Sequence, residues 1–231
     1  MNTLRQYVSD VRSAFKQHSP DVDLSDRQIA NELVRTNLKL VNQSLNKRIG
    51  WNSPNLFTAL PCIPMMEVPL VECCDISSEC NIARSVKKLP SIADSKFSLV
   101  VQGVWSVNKR AKYKEINPDR YSNYLDLALK NPNEKFFWVL DNYLYITDPS
   151  LEMASMSAFF AEPMDFTQYS CDAKERACPT NPLDMDFKTL PFLKDDIVTI
   201  TYKKLLETFL RVKADAYPSR EEEYQGGQGN G

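Results

Sequence analysis

Apolar positions recur at helical spacing at both ends of the chain and at strand-like or proline-broken spacing between them. Leu4, Tyr7, Val8, Val11, Ala14 and Phe15 fall on one face of a first amphipathic helix, and His18, Ser19 and Pro20 stop it. Ser25, with Gln28 three residues on, has the pattern of a capping box. A longer helix then buries Ile29, Ala30, Leu33, Val34, Leu38, Val41 and Leu45 along one stripe to about Lys47. The short connection favours an antiparallel pair. A last helix is expected from about Phe192 to Lys213, with Val198, Thr201, Leu205, Phe209 and Val212 on one face.

The middle of the chain has a different pattern. From Asn55 to Cys73, Pro61, Pro64 and Pro69 exclude a helix and predict extended, edge-type strands. Phe97, Leu99, Val101, Val104 and Val107 alternate as a strand, and a basic turn with Lys109, Arg110, Lys112 and Lys114 follows. Asn117-Pro118 marks a helix start, and that helix is expected to run through Tyr121, Leu125 and Leu129. Phe136–Leu140 and Tyr143–Thr147 are aromatic and β-branched, and Asp141-Asn142 between them suits a tight hairpin turn. Met153–Ala161 reads as a further strand, and residues 164 to 191 as loop and short helix.

These elements predict an α+β fold: N- and C-terminal helices forming a bundle, an inserted antiparallel β region and a flexible C-terminal arm. The expected divisions are 1–50 (N-terminal helices), 51–165 (β insertion with one short helix), 166–214 (loop and closing helix) and 215–231 (arm). The final segment is acidic and then rich in glycine and glutamine, a composition that builds no core of its own.

Composition narrows the chemistry. The 231 residues carry a net charge of -2, which gives no general pull toward nucleic acid or membrane. Of six glycines only Gly50 and Gly103 precede the last six residues, so phosphate-cradling glycine loops are absent from the folded part. The N-terminus has no signal-peptide pattern and no stretch is apolar enough to span a bilayer, so synthesis in the host cytoplasm is expected, with no membrane partner.

The single histidine, His18, sits at a helix end, where a solvated role outweighs a catalytic one. Asp172, Asp184 and Asp186 can ligate a divalent ion in principle, but they fit better as turn and capping residues. No Cys-x-x-Cys pair occurs among Cys62, Cys73, Cys74, Cys80, Cys171 and Cys178, so reduced, packed thiols are favoured over a zinc site or a disulfide. No catalytic residue, metal or cofactor is therefore expected. Two basic clusters, Arg84, Lys87 and Lys88, and Lys109, Arg110, Lys112 and Lys114, are candidate contacts to DNA phosphate or to a neighbouring subunit. Solvated loops remain the plainer reading of both.

The order of these segments resembles a known family. The features that carry the resemblance are the charged turn Asp21–Arg27, the Asn46-Lys47-Arg48 helix end, and the run Cys80–Pro90 (Cys-Asn-Ile-Ala-Arg-Ser-Val-Lys-Lys-Leu-Pro). The Tyr143–Ile146 strand, the Phe159–Pro163 strand end and the closing helix after Phe192–Asp196 complete it. They are similar to the head–tail connector ring proteins of podoviruses, especially crAss-like phages, through most of residues 1 to 214. The resemblance implies a virion protein and not an enzyme. It implies a homo-oligomeric ring, twelvefold, below the portal protein and against other neck or tail proteins, surrounding the DNA ejection channel. A tail terminator or stopper is the nearest alternative, and a cysteine-metal nucleic-acid module a more distant one.

Overall fold

The computed structural model describes residues 3–18, 24–53, 55–72, 81–96, 98–125, 131, 133–162, 166–171 and 181–216. Its organising unit is a closed seven-stranded β-barrel. The strands are β1 (Thr58–Pro69), β2 (Asn81–Ser85), β3 (Val101–Ser106), β4 (Lys112–Glu115), β5 (Phe136–Leu140), β6 (Tyr143–Ile146) and β7 (Met153–Ala158), in the spatial order β1-β2-β6-β5-β4-β3-β7. This corrects the expected bundle with a β insertion. Closure removes the free edges that an inserted sheet would leave, and the barrel has its own interior core. The region is also not wholly antiparallel, because β4 and β5 run parallel, with Lys114 opposite Phe136. A parallel neighbour needs a crossover, and helix α3 (Pro118–Leu125) lies within it.

Three further helices, α1 (Leu4–His18), α2 (Asp26–Asn46) and α4 (Lys194–Ala216), contact one another. The capping box forms as the sequence predicts: Ser25 Oγ accepts from the Gln28 amide, and the Gln28 side chain accepts from the Ser25 amide. Arg12 of α1 reaches the start of α2, pairing with Asp26 at 2.6 Å and donating to the Leu24 carbonyl at 3.0 Å. The helical core of Val11, Phe15, Leu33, Val41 and Ile197 continues into Leu56, Ala93, Val100 and Phe159. Those last four lie just before β1, just before β3 and just after β7, so the helices sit on one end of the barrel. The pairing directions place the starts of β1, β3 and β6 and the ends of β2, β4, β5 and β7 at that same end.

The prolines of β1 fit because that strand changes partner along its length. Thr58–Pro64 pairs with β7, with a register shift between Leu60 and Ile63, and Met65–Pro69 pairs with β2. Each half is hydrogen-bonded mainly on one side, where a missing N–H costs little. The expectation of an edge strand is thus corrected to a strand within a closed wall. Two short strands escaped the sequence reading, β2 and β4, and Lys112 and Lys114 lie on β4 and not in a turn. The β3 expectation began at Phe97, outside the described residues, as are Leu129 and the C-terminal arm from residue 217.

The aromatic hairpin is buried on both faces. Phe137, Leu144 and Ile146 fill the barrel, while Phe136, Trp138 and Tyr145 point outward beneath α3. Tyr121 of α3 stands 5.4 Å from the Trp138 ring and 6.1 Å from Phe136. Asp141 and Asn142 adopt φ of 50° and 65°, the two-residue turn the sequence predicts.

Candidate functional site

The two basic clusters lie at opposite ends of the barrel. Arg84, Lys87 and Lys88 are at the close of β2, beside the tip of the β5–β6 hairpin: the Leu89 amide donates to the Asn142 carbonyl at 2.6 Å. Buried Ser85 ties the same corner, accepting from the Leu144 amide and donating to the Lys87 carbonyl. Lys109 and Arg110 form the β3–β4 tip at the other end, where Lys109 takes φ of 55° and the Arg110 amide donates to Asn108. The fold therefore does not gather the seven residues into one patch.

Several of these cations are engaged within the chain. The Arg84 guanidinium lies 5.0 Å over the Tyr143 ring and the Lys88 ammonium 5.6 Å over it. Lys112 lies 5.9 Å over Trp105, and Lys114 is ion-paired with Glu134. Lys87, Lys109 and Arg110 are exposed.

Acidic groups are likewise used in structure. Asp184 receives Arg5 at 2.6 Å, and that hydrogen bond holds its carboxyl below the usual range. Asp186 lies 3.6 Å from Lys188, and Asp172 is outside the described residues. Among the described residues no group of three His, Cys, Asp or Glu side chains could hold a metal ion, and no helix is long and apolar enough to cross a membrane. Cys62 is bonded to Cys171, with Cα atoms 5.2 Å apart, which corrects the expectation of reduced thiols at these two positions. The segment at Thr167–Tyr169 packs along β1, so two cysteines 109 positions apart meet. Cys73, Cys74, Cys80 and Cys178 are outside the described residues.

One feature without a sequence signal stands out on the barrel wall. The outward rows that α3 covers at Val68, Ile82, Trp138 and Tyr145 continue past α3 into uncovered positions. Pro64 and Met66 of β1, Val86 just after β2, and Leu140 of β5 are exposed there, around half-buried Arg84 and Tyr143. Met153 of β7, 50 % exposed, is the register partner of Pro64, and Arg84 that of Met66. The band crosses most of the wall. Away from the wall, Phe192 is 58 % exposed next to Asp195 and Asp196 at the start of α4.

A barrel wall with uncovered apolar rows is the kind of surface at which macromolecules meet. A family model described as phage tail ring protein 2, of the crAss-like phage ring proteins, matches residues 6–223. The chain belongs to that family, so it is a structural ring protein of a phage tail and a component of the virion. No curated protein matches the chain.

Proposed function

We propose that this chain is a repeated subunit of the ring that joins head to tail, seated below the portal protein, with twelve copies around the channel through which DNA leaves. In this reading it has no catalytic role. The observation that carries it is the family match across 218 of 231 positions (residues 6 through 223). The exposed apolar band agrees with it, because a ring subunit needs apolar surface beyond its own core. Lys109 and Arg110, on a projecting tip, are the cations best placed to meet DNA phosphate without reading sequence.

Its partners are then further copies of itself, the portal and the adjoining neck or tail proteins. The family description names the tail, and on that ground a terminator or stopper ring at the tail's upper end is the second reading. Co-expression with the cognate portal, followed by negative-stain imaging, tests the assignment. Rings stacked coaxially on portal are expected. A chain that stays monomeric and leaves portal bare sinks it, and rings that bind tail-tube protein but never portal favour the second reading.

A further inference from the structure

A closed ring of identical chains uses heterologous contacts: each copy must present two different surfaces, each complementary to the other. Among the described residues, exposed large apolar side chains cluster beside mainly basic groups on the barrel wall, which Glu67 and Asp141 also border, and an exposed phenylalanine stands beside acidic groups at the start of α4. On the barrel wall, Met66 (41 % exposed), Val86 (46 %) and Leu140 (36 %) adjoin Arg84 and Lys87. At the start of α4, Phe192 (58 %) adjoins Asp195 and Asp196, both exposed, while Lys194 turns inward over the Tyr7 ring at 5.8 Å.

Acids in a first helical turn are explained by the helix dipole alone. An exposed phenylalanine beside them is not. On the wall, Arg84 is held in place over Tyr143, so its orientation is set before any partner arrives. Met66 is a flexible, polarizable side chain of the kind that shapes itself to an inserted ring. Ile49 also follows exposed basic residues, Lys47 and Arg48, but it stands singly, whereas the wall offers three apolar side chains to an inserted ring.

We propose that the wall around Met66, Val86 and Leu140 receives Phe192 of the next copy, with Asp195 and Asp196 meeting Arg84 and Lys87, as the joint between neighbouring subunits. The inference rests on the ring reading above and names the surfaces that close it.

The test uses the full chain and two variants, a wall variant (Met66→Asp with Val86→Asp) and a corner variant (Phe192→Asp), read by mass photometry and negative stain. All three positions are exposed, and circular dichroism and melting curves verify that the variants fold. Wild type is expected to form rings, and each variant alone to self-associate about 100-fold more weakly. An equimolar mixture retains one intact joint, wall of the corner variant against corner of the wall variant, so it should give dimers and no rings. Rings formed by either variant, or a mixture that stays monomeric while wild type forms rings, overturn the joint and leave the ring reading standing. A wild type that is monomeric at every concentration overturns the ring reading, and the joint with it.

Discussion

The phenolic hydroxyl of Tyr113, buried inside the barrel, donates to Oδ2 of Asp148 at 3.4 Å, and the same carboxylate oxygen is paired with Lys135. Burial and the adjacent negative charge push the Tyr113 hydroxyl up to about 12. Burial opposes ionisation of Asp148, yet Lys135, Ser150 and Tyr113 together hold its carboxyl below the usual value. The three residues close the barrel at the end away from the helices.

The signs give two pH limits. A tyrosine raised from 10.0 to about 12 contributes stability that is present below pH 10 and lost as pH climbs toward 12. An aspartate held below 3.8 contributes stability present above that value and lost as pH falls through its folded value. Tyr113→Phe should therefore flatten the alkaline limb of a plot of melting temperature against pH between 10 and 12. Asp148→Asn should flatten the acid limb and, because the Lys135 side chain is 42 % exposed and can turn to water, lower stability at pH 7 by only about 0.2–1 kcal/mol.

The bond between Cys62 and Cys171 anchors the segment after β7 to the barrel wall. Cross-links closing long loops contribute about 2–4 kcal/mol. Oxidised wild type should exceed Cys62→Ser by that amount in urea unfolding, and the two should coincide once wild type is reduced. Peptide mapping without reductant should recover Cys62 joined to Cys171. Free thiols at both positions in fully oxidised protein would contradict the pairing.

How much of this was legible in the sequence depends on the range of the interaction. The capping box at Ser25 and the Asp141-Asn142 turn are written in residues one to three apart, and both formed as read. Barrel closure depends on β1 meeting β7, with Thr58 opposite Ala158, a pairing that local periodicity does not encode. The strands β2 and β4 are five and four residues long, and they carry polar and charged residues (Asn81 and Arg84; Lys112, Lys114 and Glu115) where β5 and β6, of the same lengths, are aromatic and β-branched. Aromatic residues occupy both faces of the β5–β6 hairpin, and local alternation does not say what covers the outward row of Phe136, Trp138 and Tyr145; the path of α3 does. The apolar wall was hidden for the same reason: Met66 and Val68 share a face, and nothing local says that α3 reaches one and not the other.

At the hairpin tip, Asn142 holds φ of 65° while its carbonyl accepts from Leu89. Asn142→Gly keeps that backbone and should be neutral or stabilising by a few tenths of a kcal/mol. Asn142→Val, β-branched where φ is positive, should cost about 1–2 kcal/mol. Because Leu89 hangs from this turn, the valine variant should also accelerate amide exchange at residue 89.

Gly103 of β3 sits where the strand shifts register against β7, and a Cβ there would stand 2.7 Å from Cη2 and Cζ2 of the Trp105 indole. The Trp105 indole thus occupies the space a side chain at residue 103 would need, with the Lys112 ammonium 5.9 Å from its ring. Backbone conformation is not the obstacle, since φ at this glycine is not in the left-handed range. Space is. Gly103→Ala must displace the indole, and overfilling a packed contact costs about 1–3 kcal/mol. Trp105 should then report the displacement directly, through a shift of its fluorescence relative to a Trp51→Phe, Trp138→Phe background. The double variant Gly103→Ala with Trp105→Ala should recover most of the loss, because the clashing atoms are gone. If Gly103→Ala alone melts like wild type with an unmoved emission maximum, the glycine is not there to seat the indole.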